Sequence, residues 1–494
     1  MRNWIFKGIF ILFSIGFLGI YSTTNKQKHP NPTEIISEKE GAYLEREKWI
    51  EDMHRAEPGL NWQMQDVLYR LNRSSSMPAN FRRSSNKVSI AGGKISGSWF
   101  EKGSSNQSGR MHQAEYDTLT KELLTASAGG NIWIRNAAGT NWRIINDHFK
   151  IPDIIALRVI YINNTRRILV ASGKFSIAGV FYTDDDGSNW HITGGLENIA
   201  NWGNILRLFI TSEKPNLVYV LAQEWDNTNS EAITAVYKST DMGNSFTQII
   251  NFQSSLYGNS TKIDIWCSYY HGSEPFLLID NTLFKIQASD QLATLGNVTY
   301  NQHGRVFLSG FRDDFRSFFY IAVRHSSGTT VYKSADGGVN WTYQSEIPEN
   351  PFRKNSFTCS STNPENLYCG GVNCYHSYDG GKNWVQVNLW SHYYGDPENR
   401  LHADNPGINS FRILDKEQVF ISTDGGVYVS TDSLQSVKNL SLLNHNVSQY
   451  YSTYTCRFET DIIHAGSQDQ GYQRCLNPGN ILAFDQVISG DYGH

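Results

Sequence analysis

Short apolar stretches alternate with polar turns along most of this chain. Three of them, residues 180–182, 235–237 and 331–332, have the β-branched and aromatic content of strands. Each is followed by a polar octapeptide that ends on Trp or Phe, where the next apolar segment begins. The pattern therefore predicts a repeated hairpin of strand, turn and strand, with the aromatic residue anchored in the core.

The octapeptide has the form Ser/Thr-x-Asp-x-Gly-x-x-Trp/Phe, and it occurs four times with the same internal spacing. Hydroxyl and carboxylate side chains bond nearby backbone N–H groups and so hold a tight turn. The Gly supplies a residue of positive φ, which a Cβ would resist. We therefore expect its aspartates to be structural turn residues, and these are Asp185, Asp241, Asp336 and Asp379.

The spacing of the octapeptides gives the repeat length. Their aromatic residues lie 56, 95 and 43 residues apart, at Trp190, Phe246, Trp341 and Trp384. The middle gap holds two units, so we expect a degenerate repeat around residues 277–299. Weaker copies occupy residues 135–142 and 430–437. The sequence thus predicts an all-β fold of about seven units of roughly 50 residues, the size of a four-stranded propeller blade.

The octapeptide resembles the Asp-box, also called the bacterial neuraminidase repeat, of sialidases, sortilin-type receptors and large xyloglucanases. All of these are β-propellers. The resemblance implies a roughly seven-bladed propeller whose octapeptide turns lie on the rim, away from any active site. Further segments resemble large exported propeller proteins of Bacteroidetes-type bacteria, namely Gly109-Arg110 and residues 422–428, 449–451, 466–471 and 490–493. For Arg110 we expect a structural pairing.

The N-terminal residues predict export. Arg2 and Lys7 accompany an apolar run from residue 8 to residue 21, which has the length of a signal-peptide core and is short for a membrane span. Residues 1–26 are therefore predicted to be a signal peptide, with an uncleaved signal anchor as the alternative. We expect the protein to be secreted or displayed at the cell surface, with the periplasm as a further location.

The remaining chain divides into three parts. Residues 27–90 predict a helical segment and a Ser-rich linker, with one helix from Ser37 and a second at residues 63–72. Residues 91–445 are assigned to the propeller. Residues 446–494 are interpreted as closing strands or as the start of a further, truncated blade.

The net charge restricts the classes of partner that the protein can bind, and the cysteine content restricts its disulfides and metal sites. The net charge of −4 and the pI near 6.4 disfavour a nucleic-acid partner, which would need a basic surface. Six cysteines in an exported chain leave three interpretations open: buried free thiols, a Cys369–Cys374 pair, and a Cys456–Cys475 pair. Paired Cys-x-x-Cys motifs and phosphate-binding loops are absent from the sequence, so we expect neither a metal nor a cofactor.

Four aspartates outside the octapeptides lie beside Gly or turns, at Asp404, Asp424, Asp469 and Asp491. Glycoside hydrolysis needs two carboxyl groups about 5–10 Å apart, and Asp424 and Asp469 are the candidates for such a pair. Turn aspartates are the first alternative interpretation, and a Ca²⁺ site formed by clustered Asp side chains and backbone carbonyls is the second, although the sequence has no Ca²⁺-loop consensus. His402 opens a segment that resembles a His-Ala-Asp-x-His motif, but Pro406 replaces the second His.

Candidate binding residues are His402, Asp404, Asp491, Trp390 and Tyr393, because aromatic faces on loops suit contacts with sugars or proteins. We expect an exported propeller that binds a protein or polysaccharide ligand through its loops, without evident catalysis. The alternative is a glycoside hydrolase of xyloglucanase-like type that uses paired aspartates. Membrane contact is expected only through the alternative N-terminal anchor.

Overall fold

The computed structural model describes residues 62–76, 87–90, 94–98, 101–173, 178–197, 199, 203–226, 231–253, 262–300, 304–459, 462–476 and 482–492. The predicted signal segment at residues 1–26 and the helix predicted from Ser37 lie outside these residues.

An α-helix, Trp62–Ser76, precedes the main body of strands. It covers the helix predicted at residues 63–72 and continues into residues predicted to be linker. Val67 on this helix is buried in the same apolar cluster as Phe149. Arg70 donates a hydrogen bond to the carbonyl of Lys150 at 3.3 Å. A two-stranded antiparallel sheet follows, formed by Lys87–Ile90 and Ile95–Ser98.

Eight four-stranded antiparallel sheets make up the rest of the described chain, each from four consecutive strands. We call the first seven blades 1 to 7. The strands of blade 1 are Met111–Asp117, Glu122–Ser127, Ile132–Arg135 and Trp142–Ile144. Those of blade 2 are Ile154–Ile162, Thr165–Ser172, Gly179–Thr183 and His191–Ile192. Those of blade 3 are Asn204–Ile210, Val218–Asp226, Glu231–Ser239 and Thr247–Gln253. The strands of blade 4 are Ile263–Trp266, Phe276–Ile279, Thr282–Ile286 and Leu292–Asn297. Those of blade 5 are Val306–Arg312, Ser317–His325, Gly328–Ser334 and Thr342–Ile347. The strands of blade 6 are Phe357–Cys359, Leu367–Gly370, Cys374–Ser377 and Val385–Gln386. Those of blade 7 are Gly407–Ile413, Lys416–Thr423, Gly426–Ser430 and Lys438–Asn439. The eighth sheet contains Tyr450–Thr455, Ile463–Ser467, Gly471–Cys475 and Asp485–Ile488. Two 3-10 turns lie at Lys354–Ser356 and Trp390–Gly395.

Blades 1 to 7 form a ring. The first strand of blade 1 lies beside the first strands of blades 2 and 7, and the first strands of blades 4 to 7 follow one another in the same way. The ring closes by side-chain packing, in which Met111 and Ala114 of blade 1 meet Phe420 and Val427 of blade 7. The predicted all-β, seven-bladed propeller preceded by a short helix is confirmed.

Residues 446–494, for which the sequence leaves closing strands and a further blade open, contain the eighth sheet. None of its described strands joins a sheet of the ring. Its outer residues are exposed, among them Tyr454 at 61% and Phe458 at 91%.

The octapeptides form the turn between the third and fourth strands of their blades. Ser334 Oγ accepts the backbone N–H of Gly338 at 2.9 Å and donates to Asp336 Oδ1 at 2.8 Å. Asp336 Oδ1 also accepts the N–H of Asn340 at 3.0 Å. The same contacts recur in the weaker copy of blade 7, where Leu434 replaces Gly and still takes a positive φ of 71°. The turn is therefore held within its own eight residues.

The six cysteines are free thiols. Cys369 stands opposite Tyr375 and Cys374 opposite Gly370, so the two thiols alternate to opposite faces of the sheet and cannot pair. Cys456 follows the first strand of the eighth sheet and Cys475 ends its third, with the second strand between them. Neither pairing left open by the sequence is formed.

His445 supports the contact between blades 7 and 1. Its ring stacks on Trp142 with centroids 4.0 Å apart. One ring nitrogen lies 2.9 Å from Ser441 Oγ and the other 3.4 Å from Thr125 Oγ1. Burial, with a smaller contribution from the charge of Arg135, lowers the pKa of His445 to about 3. The ring is therefore neutral in the folded protein.

Asp336→Ala should lower the free energy of unfolding by about 1–2 kcal/mol, because it removes the acceptor of several turn hydrogen bonds. Urea denaturation followed by tryptophan fluorescence measures the change. Glu346→Ala removes an exposed carboxylate from the fourth strand of the same blade and should change stability by less than about 0.5 kcal/mol. Equal losses in the two variants would contradict the role of the turn.

Acidification should destabilise the protein through His445. An unfolded histidine has a pKa of about 6.5, above the folded value of about 3, so the unfolded state binds more protons in this interval and stability falls as pH falls through it. Between pH 7 and pH 5 the wild type should lose about 2 kcal/mol more than His445→Gln. The carboxyl groups titrate alike in both proteins, so the difference between the two stability profiles comes from His445 alone. Parallel pH profiles would show that His445 is not held neutral.

Candidate functional site

The two faces of the ring carry different loops. We define the upper face as the one at which the first strand of each blade begins, where the turn between the second and third strands also lies. The octapeptide turns, with Asp185, Asp241, Asp336 and Asp379, lie on the lower face. The upper face carries the other candidates of the ring, which are Trp390, Tyr393, His402, Asp404 and Asp424.

Arg110, just before the first strand of blade 1, joins two of the candidate aspartates. Its Nε and Nη2 donate to the two carboxylate oxygens of Asp424 at 2.7 and 2.5 Å. Nη2 also donates to Oδ2 of Asp469 at 3.0 Å. Because that one nitrogen contacts Oδ2 of both aspartates, these two oxygens lie at most 5.5 Å apart.

Asp424 occupies the turn between the second and third strands of blade 7. Thr423 Oγ1 accepts the N–H of Gly425 and donates to the carbonyl of Gly426, each at 3.0 Å. Gly426 has a φ of 113°, where a Cβ would be strained. The turn places the Asp424 carboxylate against Arg110, and the side chain is only 2% exposed.

Asp469 occupies the equivalent turn of the eighth sheet. Ser467 Oγ donates to the carbonyl of Gly471 at 3.0 Å, as Thr423 does to Gly426 in blade 7. Asp469 has a φ of 62°, and its N–H donates to Asp491 Oδ1 at 2.9 Å. The matching turns bring Asp424 of the ring and Asp469 of the eighth sheet to the same guanidinium.

The aromatic candidates differ in exposure. Tyr393 is 3% exposed, its hydroxyl donates to Gln470 Oε1 at 3.3 Å, and its ring centroid lies 4.4 Å from that of His402. Tyr394 donates to the carbonyl of Asp469 at 3.3 Å. Trp390 is 42% exposed. Of the two aromatic candidates, Trp390 presents its ring to solvent and Tyr393 supports the site from beneath.

Burial dominates the electrostatics of the site. It raises the pKa of Asp424 to about 8, although the hydrogen bonds and charge of Arg110 oppose the shift. Burial also raises the pKa of Asp404, and it lowers the pKa of His402. For Arg110, burial alone would lower the pKa, but the bonds to Asp424 and the charges of Asp424, Asp469 and Asp404 more than offset it. Arg110 therefore stays charged.

The segment 104–110 holds the ring and the eighth sheet together. Ser105 donates from its backbone to the carbonyl of Leu482 at 2.9 Å, and Asn106 Oδ1 accepts the N–H of Phe484 at 2.8 Å. Gly109 donates to the carbonyl of Val447 at 2.6 Å. These backbone contacts fix Arg110 between the two bodies of strands.

A cavity of about 490 Å³ opens on the upper face beside Arg110. Its walls come from blade 1, from the loop that leads into blade 2, from the approach to the first strand of blade 6 and from the segment after blade 7. Its charged residues are Arg110, Lys150, Arg353 and Asp153. It is therefore a polar cavity with three cations and one carboxylate in its walls.

The axis of the ring is filled by a buried charge network. Arg207 of blade 3 bonds both carboxylate oxygens of Asp264 of blade 4 at 3.1 Å, and Lys354 lies 3.6 Å from Asp264. Burial lowers the pKa of Lys354 to about 8. Nearer the lower face, Tyr270 OH accepts the N–H of Arg412 at 2.7 Å from the far side of the ring.

The sequence marks part of this arrangement. The motif Gly109-Arg110 pointed to a pairing, and the structure supplies its partners. Gln470 lies within the motif at residues 466–471, and Tyr394 lies beside Tyr393, but the sequence does not predict their contacts with each other's segments. Lys150 and Arg353 lie in loops without a motif, so only the fold brings them to the cavity.

Within the residues that the structure describes, no group of acidic, His and Cys side chains could hold a metal ion. The described part of the chain contains no helix with both the length and the apolar character that crossing a membrane requires.

Sequence comparisons find no matching family model and no matching curated protein. Structural comparison does find similar folds. They include a GH74 enzyme of Niastella koreensis, at 12% identity and a TM-score of 0.55, with 78% of this chain and 62% of that one covered. A GH74 xyloglucanase of Xanthomonas campestris is similar at 10% identity and a TM-score of 0.50, with 79% of this chain and 69% of that one covered. An ancestral GH74 enzyme is also similar, at 11% identity and a TM-score of 0.52, with 76% of this chain and 53% of that one covered.

This chain thus spans between about half and two thirds of the length of those structures. At 10–12% identity the similarity establishes the propeller fold alone.

Arg110→Ala removes the group that opposes the raised pKa of Asp424, so the variant should lose most stability above pH 8. At pH 9.5 the free energy of unfolding should fall by about 3–5 kcal/mol, because a buried carboxylate is left without its partner. The loss should shrink at pH 6, where the carboxyl group holds a proton. The double variant Arg110→Ala/Asp424→Asn should recover part of the stability at pH 9.5. Urea denaturation at both pH values provides the measurement, and a loss independent of pH would argue against a buried, unpaired carboxylate.

Proposed function

We propose that this protein is an exported ligand-binding propeller whose upper face takes a protein or polysaccharide. The observation that carries the proposal is the ion pair of Arg110. Nε and Nη2 occupy both carboxylate oxygens of Asp424, and Nη2 also holds Asp469. Asp424 therefore has no free oxygen aimed at a scissile bond, and Asp469 is turned toward the same guanidinium.

The composition of the upper face supports binding. Trp390 is exposed while its neighbours Tyr393 and Tyr394 are packed into the site, so the indole stands on a rigid base. Rigid aromatic side chains provide contact area at low entropic cost. The adjacent polar cavity offers hydrogen-bond donors and charges that fix the orientation of a ligand.

Trp390→Ala should weaken ligand binding at least tenfold, because it removes the exposed aromatic surface. The measurement is calorimetric titration or surface immobilisation with a panel of soluble polysaccharides and cell-surface proteins. Phe315→Ala is the matched control, since Phe315 is 93% exposed on the lower face. If no member of the panel binds the wild type, or if both variants lose affinity equally, the proposal fails.

A glycoside hydrolase is the second candidate, and two observations favour it. Asp424 and Asp469 approach one another from two bodies of strands, and burial raises the pKa of Asp424 to about 8, as a general acid requires. Their oxygens, at most 5.5 Å apart, are too close for the inverting arrangement, which needs about 6.5–9.5 Å. A retaining mechanism would fit, provided that substrate displaces Arg110.

Reducing-sugar release from polysaccharides distinguishes the two candidates. We expect no release from the wild type. Release that is abolished in both Asp424→Asn and Asp469→Asn, but not in Asp336→Asn on the lower face, would establish the hydrolase and overturn the proposal of binding without catalysis.

A further inference from the structure

The cavity beside Arg110 carries more positive than negative charge in its walls. Arg353 pairs with Asp153 at 2.8 Å, and Arg110 pairs with Asp424 and Asp469, which stand outside the cavity lining. Lys150 is exposed and has no ion pair within the described part of the chain. An anion entering the cavity would therefore meet one unpaired cation and two guanidinium groups that are only partly engaged.

Uncharged polar groups complete the lining. Asn131, Asn446, Ser127 and Ser448 line the same space. Asn131 Nδ2 and Asn446 Oδ1 are buried without a hydrogen-bond partner among the described residues. Buried polar atoms are normally paired, so such groups in a cavity wall indicate a missing polar partner.

Two aromatic residues also line the cavity. Trp133 Nε1 has no partner among the residues described, and the same holds for Nδ1 of His112, whose side chain is 7% exposed. Burial and the nearby charges of Arg353 and Arg110 lower the pKa of His112, so its ring is neutral. The wall thus offers a planar indole and a neutral imidazole beside the cationic groups.

We propose that this cavity binds a uronate unit of an acidic saccharide, with its carboxylate facing Lys150, Arg353 and Arg110. The inference rests on the proposed binding function and names the ligand class of its upper face. The volume of about 490 Å³ lies within the range of small-ligand sites, roughly 300–1,000 Å³.

The lining favours a saccharide over other anions. Hydroxyl and amide side chains match a ligand that carries many hydroxyl groups, while the apolar wall is confined to Ala128, Trp133, Pro152 and Val447. Inorganic phosphate would satisfy the cations and leave the neutral groups of the lining unpaired.

The test titrates the full chain with trigalacturonic acid by calorimetry, and with its fully methyl-esterified form as the uncharged match. The acid should bind, its affinity should fall with added salt because charge contributes, and the ester should bind at least tenfold more weakly. Lys150→Gln should weaken binding of the acid about fivefold to tenfold. Lys416→Gln makes the same charge change at an exposed site on the lower face and should leave affinity unchanged.

Three results would overturn the inference. Equal affinity for acid and ester would show that the carboxylate is not recognised. Equal affinity for trigalacturonic acid and for an Asp-Glu-Asp peptide or inorganic phosphate would remove the preference for saccharides. Equal losses in Lys150→Gln and Lys416→Gln would place binding elsewhere. If a neutral polysaccharide or a protein binds through Trp390 and the uronate does not, this inference fails while the proposed function stands; if nothing binds, both fail.

Discussion

The structure of this protein depends on how charged side chains are buried at the axis of the ring, where the first strands of the blades converge. A ring of seven blades brings its first strands to one axis, and this sequence places Arg207, Asp264 and Lys354 there. Each of these groups would be costly to bury alone. Together they satisfy one another and link blade 3, blade 4 and the approach to blade 6. The polar axis therefore connects blades that apolar packing holds together only between neighbours.

The same requirement shapes the upper face. Arg110 leaves the connecting segment at the seam between blades 7 and 1 and is held by carboxylates from blade 7 and from the eighth sheet. One guanidinium thus joins three parts of the chain. Its fixed position limits what Asp424 and Asp469 can do chemically, and it gives the neighbouring cavity one of its charged walls.

Local features of this fold could be predicted from the sequence, and distant pairings could not. The octapeptide turns bond within themselves, so Asp336 and its counterparts reveal them directly. Blade 4 lacks the octapeptide, yet the gap between Phe246 and Trp341 located it correctly. The contact between Arg110 and Asp469 spans 359 residues, and no local pattern encodes it. Of the three interpretations left open for the cysteines, the Cys369–Cys374 pair does not form, because strand register, which spacing alone does not give, separates the two side chains.

The contact between the segment before blade 1 and the eighth sheet also constrains how the chain reaches its native state. Ser105 and Asn106 bond to Leu482 and Phe484, more than 370 residues later. During synthesis the segment that carries Arg110 emerges long before these partners exist. Closing so long a loop is entropically expensive and makes folding slow. These contacts are therefore among the last to form. The apolar edge of blade 1 has to wait in the same way for Phe420 and Val427 of blade 7, and until then it is available to aggregation or to a chaperone.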